Sequence, residues 1–175
     1  LQFNGWIIWH YTQGMGRTKG FSPRHEDILY FTKSNKFTFN IDSVRVPQKY
    51  YRERNNMDGA NPGDVWQFSH VHYSNPERVP HPTQKPLALM ERIIKASSNE
   101  NDVVLDPFVG SGTTCVAANE LKRQWIGIDL NPDYIEMSYQ RIGSAYERDS
   151  FDPREERTPK DLKISSTKQA SLPII

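Results

Sequence analysis

Apolar and polar positions divide this chain into a few readable elements and two long stretches without a period. Residues 6–11, 27–32, 103–108 and 125–130 carry short apolar, β-branched or aromatic runs and read as strands. Leu89, Met90, Ile93 and Ile94 recur at helical spacing behind Pro86, which predicts a helix over 86–98. A further helix is predicted from Asn131-Pro132-Asp133, with Ile135, Tyr139, Ile142 and Tyr146 on its apolar face. Residues 40–80 are rich in Asn, Pro, Arg and Tyr and show no clean period. From Glu147 onward charges of both signs alternate without an apolar pattern, so 148–175 is expected to be a polar, largely disordered tail. No internal repeat is visible.

The strand at 103–108 runs into Gly110-Ser111-Gly112, then a short helix, then the strand at 125–130, which contains Asp129. This is the first half of an open α/β nucleotide-binding sheet. A glycine turn after a strand lets the backbone approach a ligand, because no Cβ intervenes. A phosphate cradle of the Gly-Lys-Ser/Thr type is excluded, since Thr113-Thr114 follow Gly112. A dinucleotide turn needs a third glycine where Cys115 stands.

The run Asp106-Pro107-Phe108-Val109-Gly110-Ser111-Gly112 instead resembles the F-x-G-x-G motif of S-adenosylmethionine (SAM) methyltransferases. Upstream, His81-Pro82-Thr83-Gln84-Lys85-Pro86 resembles the H-P-T-Q-K-P signature of amino-methylating DNA methyltransferases, which modify adenine N6 or cytosine N4. The order of the two segments is similar to the β-type arrangement of that family. Gly5-Trp6-Ile7-Ile8-Trp9 and the segment from Arg24 to Lys33 look like its late sheet strands.

The resemblance implies a partial Rossmann-like α/β sheet with helices on both faces, and SAM as cofactor. It implies cofactor contacts from His81, Thr83, Lys85 and Pro86, and from Asp106, Pro107, Phe108, Gly110, Ser111, Gly112 and Thr113. Asp129 would accept the ribose hydroxyls, with Leu130 and Asn131 beside the adenine. It divides the chain into late sheet strands at 1–39, a target-recognition region at 40–80, a SAM-binding part at 81–147 and the tail. Pro82 and Pro86 also serve a purely structural reading, as a proline-bounded loop before a helix.

The family's catalytic tetrapeptide, (D/N/S)-P-P-(Y/F/W), is missing, because no Pro-Pro pair occurs in the chain. No catalytic residue is therefore named. In β-type members the tetrapeptide precedes the segment where this chain opens. The central strands of the sheet are expected to be missing too, leaving long unpaired edges. Two explanations fit: a piece of a longer product, or one subunit of a split enzyme. A complementary chain, or a second copy, is the expected partner.

Composition adds bounds. Of 175 residues, 36% are apolar, which is low for a self-sufficient α/β core. Net charge is +1, but residues 17–54 hold nine Lys/Arg against four acids, interleaved with aromatics. With the resemblance, Arg17, Lys19, Arg45, Lys49, Arg52 and Arg54 become candidates for contact with double-stranded DNA. Cys115 is the single cysteine and reads as a small core residue. The five histidines have no zinc spacing, so no metal site is expected. No membrane span is visible, and a cytoplasmic setting is the expectation. Adenine or cytosine as target stays open. So do two other classes, a non-catalytic regulatory partner and an RNA or small-molecule methyltransferase.

Overall fold

A computed structural model of the chain describes residues 1–14, 16–47 and 58–143, together with the backbone of 146–148 and 162–164. β1 (Gln2–His10) and β2 (His25–Thr32) pair antiparallel, with Trp6 opposite Leu29 and Ile7 opposite Ile28. β3 (Val65–Gln67) adds to the other edge of β1 in parallel. β4 (Val103–Asp106) and β5 (Gln124–Gly127) form a separate parallel pair, connected by helix α2 (Thr113–Glu120). Helix α1 (Leu87–Ser97) precedes β4, and α3 (Pro132–Gly143) follows β5. β6 (Tyr146–Arg148) pairs antiparallel with β7 (Leu162–Ile164). The rest of the stretch expected to be a disordered tail, including 149–161 and 165–175, lies outside the described residues.

α1 is the strut between the two larger sheets. Leu87 and Ile94 pack with Val116, Ala117 and Ala118 of α2 over Val104 and Trp125. Leu89, turned to another side of the same helix, packs with Trp9 and Trp66 of the first sheet. One helix thus buries two apolar stripes, which sets the spacing of the sheets. Its ends are built accordingly. The Glu77 carboxylate accepts the Leu87 N–H at 3.2 Å, satisfying an orphan donor of the first turn. At the other end the Asn40 side-chain amide donates to the carbonyls of Lys95 and Ser98. Arg123 donates to the Ser98 carbonyl at 2.7 Å.

Among the described residues the helices lie on one face only of β4–β5, where both faces were expected to be covered. Val104 and Trp125 are covered, whereas Val103, Leu105, Ile126 and Ile128 are more than half exposed. Trp6 and Leu29, opposite one another on β1 and β2, are exposed likewise. β3 and the 3-10 helix Ile41–Val44 were not legible in the 40–80 stretch. β3 is three residues long, too short for alternation to show, and it is placed by Trp66 packing on Trp9 and Leu89. Among the described residues no helix is long and apolar enough to cross a membrane, and no metal-binding cluster of His, Cys, Asp or Glu occurs.

Replacing Asn40 by Ala removes the side-chain donor of the Lys95 carbonyl and leaves the Ser98 carbonyl to Arg123. Stability in urea denaturation is expected to fall by about 1–2 kcal/mol, with the m-value unchanged.

Candidate functional site

β4 and β5 run parallel in a register that sets Asp106 beside Gly127, so the C-terminal ends of the two strands open side by side. Asp106 folds back on its own turn, its Oδ1 accepting the Phe108 N–H at 3.0 Å. The chain then turns sharply through Gly110 (φ +48°) and Gly112 (φ +77°), left-handed conformations that favour glycine. A Cβ on Gly110 would lie 2.8 Å from His81 Nε2, so the turn is closed from one side by the hexapeptide.

Asp129 sits just past β5 and holds this turn. Its Oδ2 accepts the Gly110 N–H at 2.9 Å and its Oδ1 the Asn131 N–H at 2.9 Å. The N–H groups of Asn131 and Gly110 favour the ionised form and hold its carboxyl below the ordinary value of 3.8, against a smaller opposing effect of burial. Each oxygen spends one acceptor position on these bonds, and the carboxylate retains others for a ligand. Phe108 and Leu130 flank the opening with side chains 86% and 101% exposed, two apolar surfaces beside two carboxylates.

Around the opening, the hexapeptide is cross-braced. His81 is buried, packs edge-on against Tyr134 at 4.5 Å, and its Nδ1 accepts the Thr83 N–H. Burial lowers its pKa, so the ring is neutral at pH 7. Gln84 accepts the Val79 N–H and donates to the Glu77 carbonyl. Lys85 reaches away to β2, its Nζ 2.8 Å from Glu26 Oε2 and over the Trp9 ring. Pro86 is buried at the start of α1. The Cys115 thiol, buried beneath the turn, is pushed up to about 11, mainly by desolvation, and is unreactive at neutral pH.

Of the residues singled out from sequence, His81, Asp106, Gly110, Ser111, Gly112, Thr113, Asp129 and Asn131 gather around one turn. Ser111 and Thr113 point inward and are buried. Arg17 and Lys19 are exposed on the loop between β1 and β2, whereas Arg45 is engaged by Asp42 at 2.7 Å and by the Gly59 carbonyl. Lys49, Arg52 and Arg54 lie outside the described residues. Sequence reasoning missed Ser138 and Arg141 of α3. Ser138 Oγ lies 3.0 Å from the Gly110 carbonyl, and Arg141 donates to Ser111 and Thr113. The signal was there: a hydroxyl and a cation interrupt the stripe that Ile135 and Ile142 begin and end.

A glycine turn between parallel strands, with an acid at each strand end and no phosphate-binding lysine, defines an α/β nucleoside-binding half-sheet. A family model described as DNA methylase, N6_N4_Mtase, matches residues 1–140. Over 164 residues the chain is 62% identical to the type II methyltransferase M.HpaI of Haemophilus parainfluenzae, covering 93% of this chain and 52% of that protein. It is 41% identical over 152 residues to the DNA adenine methyltransferase YhdJ of Escherichia coli (strain K12), covering 79% and 52% respectively. A crystal structure of an M1.HpyAVI–SAM complex superposes with a TM-score of 0.58 at 31% identity, over 80% of this chain and 62% of that one. The chain belongs to the N6/N4 DNA methylase family. It spans about half the length of the curated relatives it matches.

Because its folded pKa is depressed, ionised Asp129 stabilises the fold in full above pH 3.8, and the contribution is lost as pH falls through the folded value. Asp129→Asn is expected to lower the urea midpoint at about pH 7 and to flatten its decline toward about pH 3. An acid limb as steep as wild type would remove this role.

Proposed function

We propose that the chain is the SAM-binding portion of a site-specific DNA methyltransferase of restriction-modification type, acting on adenine N6 or cytosine N4 in duplex DNA. The carrying observation is the pair of strand-end carboxylates, Asp106 and Asp129, around a glycine turn that contains no lysine. That donor set fits SAM. The ligand is a nucleoside without phosphates, its sulfonium and ammonium are cationic, and its ribose offers two hydroxyls. Asp129 would take the hydroxyls with its remaining acceptor positions, and Asp106 faces the cationic end. Leu130 and Phe108 offer apolar surface to the adenine. His81 and Thr83 act through the shape of the turn, and Lys85 and Pro86 by fixing the hexapeptide to β2 and α1.

When bound, SAM supplies an electrophilic methyl on sulfur. The other half of the reaction needs groups that accept the hydrogens of an exocyclic amine and a surface for a base taken out of the stack. In the family a Pro-Pro tetrapeptide does this, and the chain contains none. We therefore place that step on a complementary polypeptide segment, whether of the same gene product or a separate subunit. The strand pattern supports the reading. β4 pairs only with β5, and β2 only with β1, among the described strands. The bare residues Val103, Leu105, Ile126, Trp6 and Leu29 give such a segment apolar surface to cover. Arg17 and Lys19 stand exposed on the loop that leads into β2, where they would meet the phosphates of duplex DNA.

Transfer of labelled methyl from SAM to duplex DNA tests the proposal, with the full chain alone and mixed with an N-terminal segment carrying the tetrapeptide. Transfer is expected only in the mixture. Transfer by the chain alone removes the need for a partner. SAM binding without transfer in either sample assigns the chain to a non-catalytic role. Transfer to RNA but not DNA overturns the substrate.

A further inference from the structure

We infer that Arg141, assisted by Ser138, is a positioning residue that sets the peptide planes of the glycine turn for its ligand; the inference rests on the proposed SAM site. Arg141 is 3% exposed, and its Nη1 donates to the Ser111 carbonyl and, at 3.0 Å, to Thr113 Oγ1. The Thr113 hydroxyl in turn donates to the Lys85 carbonyl at 3.2 Å, so one guanidinium ties α3, the turn and the hexapeptide together. Ser138, one helical turn earlier, shares its single proton between the carbonyls of Gly110 and Tyr134. Gly112 sits so close that a Cβ there would lie 2.8 Å from the Ser138 Cβ.

Two successive carbonyls, of Gly110 and Ser111, are therefore drawn toward α3. In trans peptides the N–H points opposite to the C=O, so the amides of Ser111 and Gly112 face away from the helix. Gly112 spends its amide on the Val109 carbonyl, closing the turn. The Ser111 amide is left on the side of the turn away from α3, where a ligand could accept it.

Stability does not account for this arginine. Among the described residues its Nε and Nη2 have no hydrogen-bond partner, although both are buried. A buried cation so incompletely satisfied costs desolvation, which offsets the two hydrogen bonds that its Nη1 contributes to the fold. For Arg141→Met a purely structural role predicts a lower thermal midpoint with SAM affinity of the folded protein unchanged, and a positioning role predicts weaker affinity and faster exchange in the turn whatever the midpoint does.

Three readouts on the full chain separate them: the thermal midpoint, the Kd for SAM by calorimetry, and amide exchange across 110–113 without ligand. Arg141→Met is expected to weaken SAM binding about tenfold and to speed exchange at Gly112 and Thr113, whatever the shift in its midpoint. Arg141→Lys, which restores a charged donor, should fall between Met and wild type. Ser138→Ala should weaken binding about threefold. Unchanged affinity and exchange in Arg141→Met overturn the inference; if that variant does not fold, the same result in Arg141→Lys and Ser138→Ala overturns it. A folded wild type that binds no SAM, with exchange still faster in the variants, overturns the cofactor reading and leaves the turn assignment standing.

Discussion

One carboxylate organises the site. Asp129 lies beyond the end of β5, yet its two oxygens bind the amides of Gly110, in the turn after β4, and of Asn131, at the start of α3. Parallel strands alone bring these segments side by side. The carboxylate converts adjacency into fixed geometry through charge-assisted hydrogen bonds, stronger than those between neutral groups. It joins the glycine turn, which His81 closes from one side, to the entry of α3.

A second constraint is mechanical. α1 carries apolar residues on two of its sides, one set for each sheet. Its ends are held by Glu77, Asn40 and Arg123, three polar side chains distant from the helix in sequence. The hexapeptide is the segment that enters this helix. Its Gln84 braces the preceding loop, and its Lys85 ties β2 through Glu26 to Thr113 at the end of the glycine turn. A motif first read as a ligand contact is thus also the joint between the two halves of the molecule.

Much of this was legible from the residues. The strands and helices around the glycine turn are the ones the period predicts, because each shows alternation or a helical stripe. But β4 and β5 end at Asp106 and Gly127, short of the expected 108 and 130, and α3 ends at Gly143, so Tyr146, expected on its apolar face, opens β6 instead. β3 was hidden because Trp66 alone carries its packing. Helices were expected on both faces of the sheet, but a single sequence does not say which part of a protein covers the second face. Composition and resemblance named Arg45 as a candidate DNA contact; the local ion pair with Asp42, three residues earlier, is a feature that composition does not show. Ser138 and Arg141 went unread for a different reason. Their partners lie in a turn 28 to 30 residues away, and a polar interruption of a helical stripe marks a contact without naming the segment it reaches.

The central claim is that the turn held by Asp129 is a SAM site. Its most direct test is a calorimetric titration of SAM into the full chain and into its Asp129→Asn variant. A single saturable binding event in the wild type, weakened about tenfold or more in the variant, is the predicted result. Equal affinities in the two folded proteins, or no saturable heat in the wild type, would contradict the account.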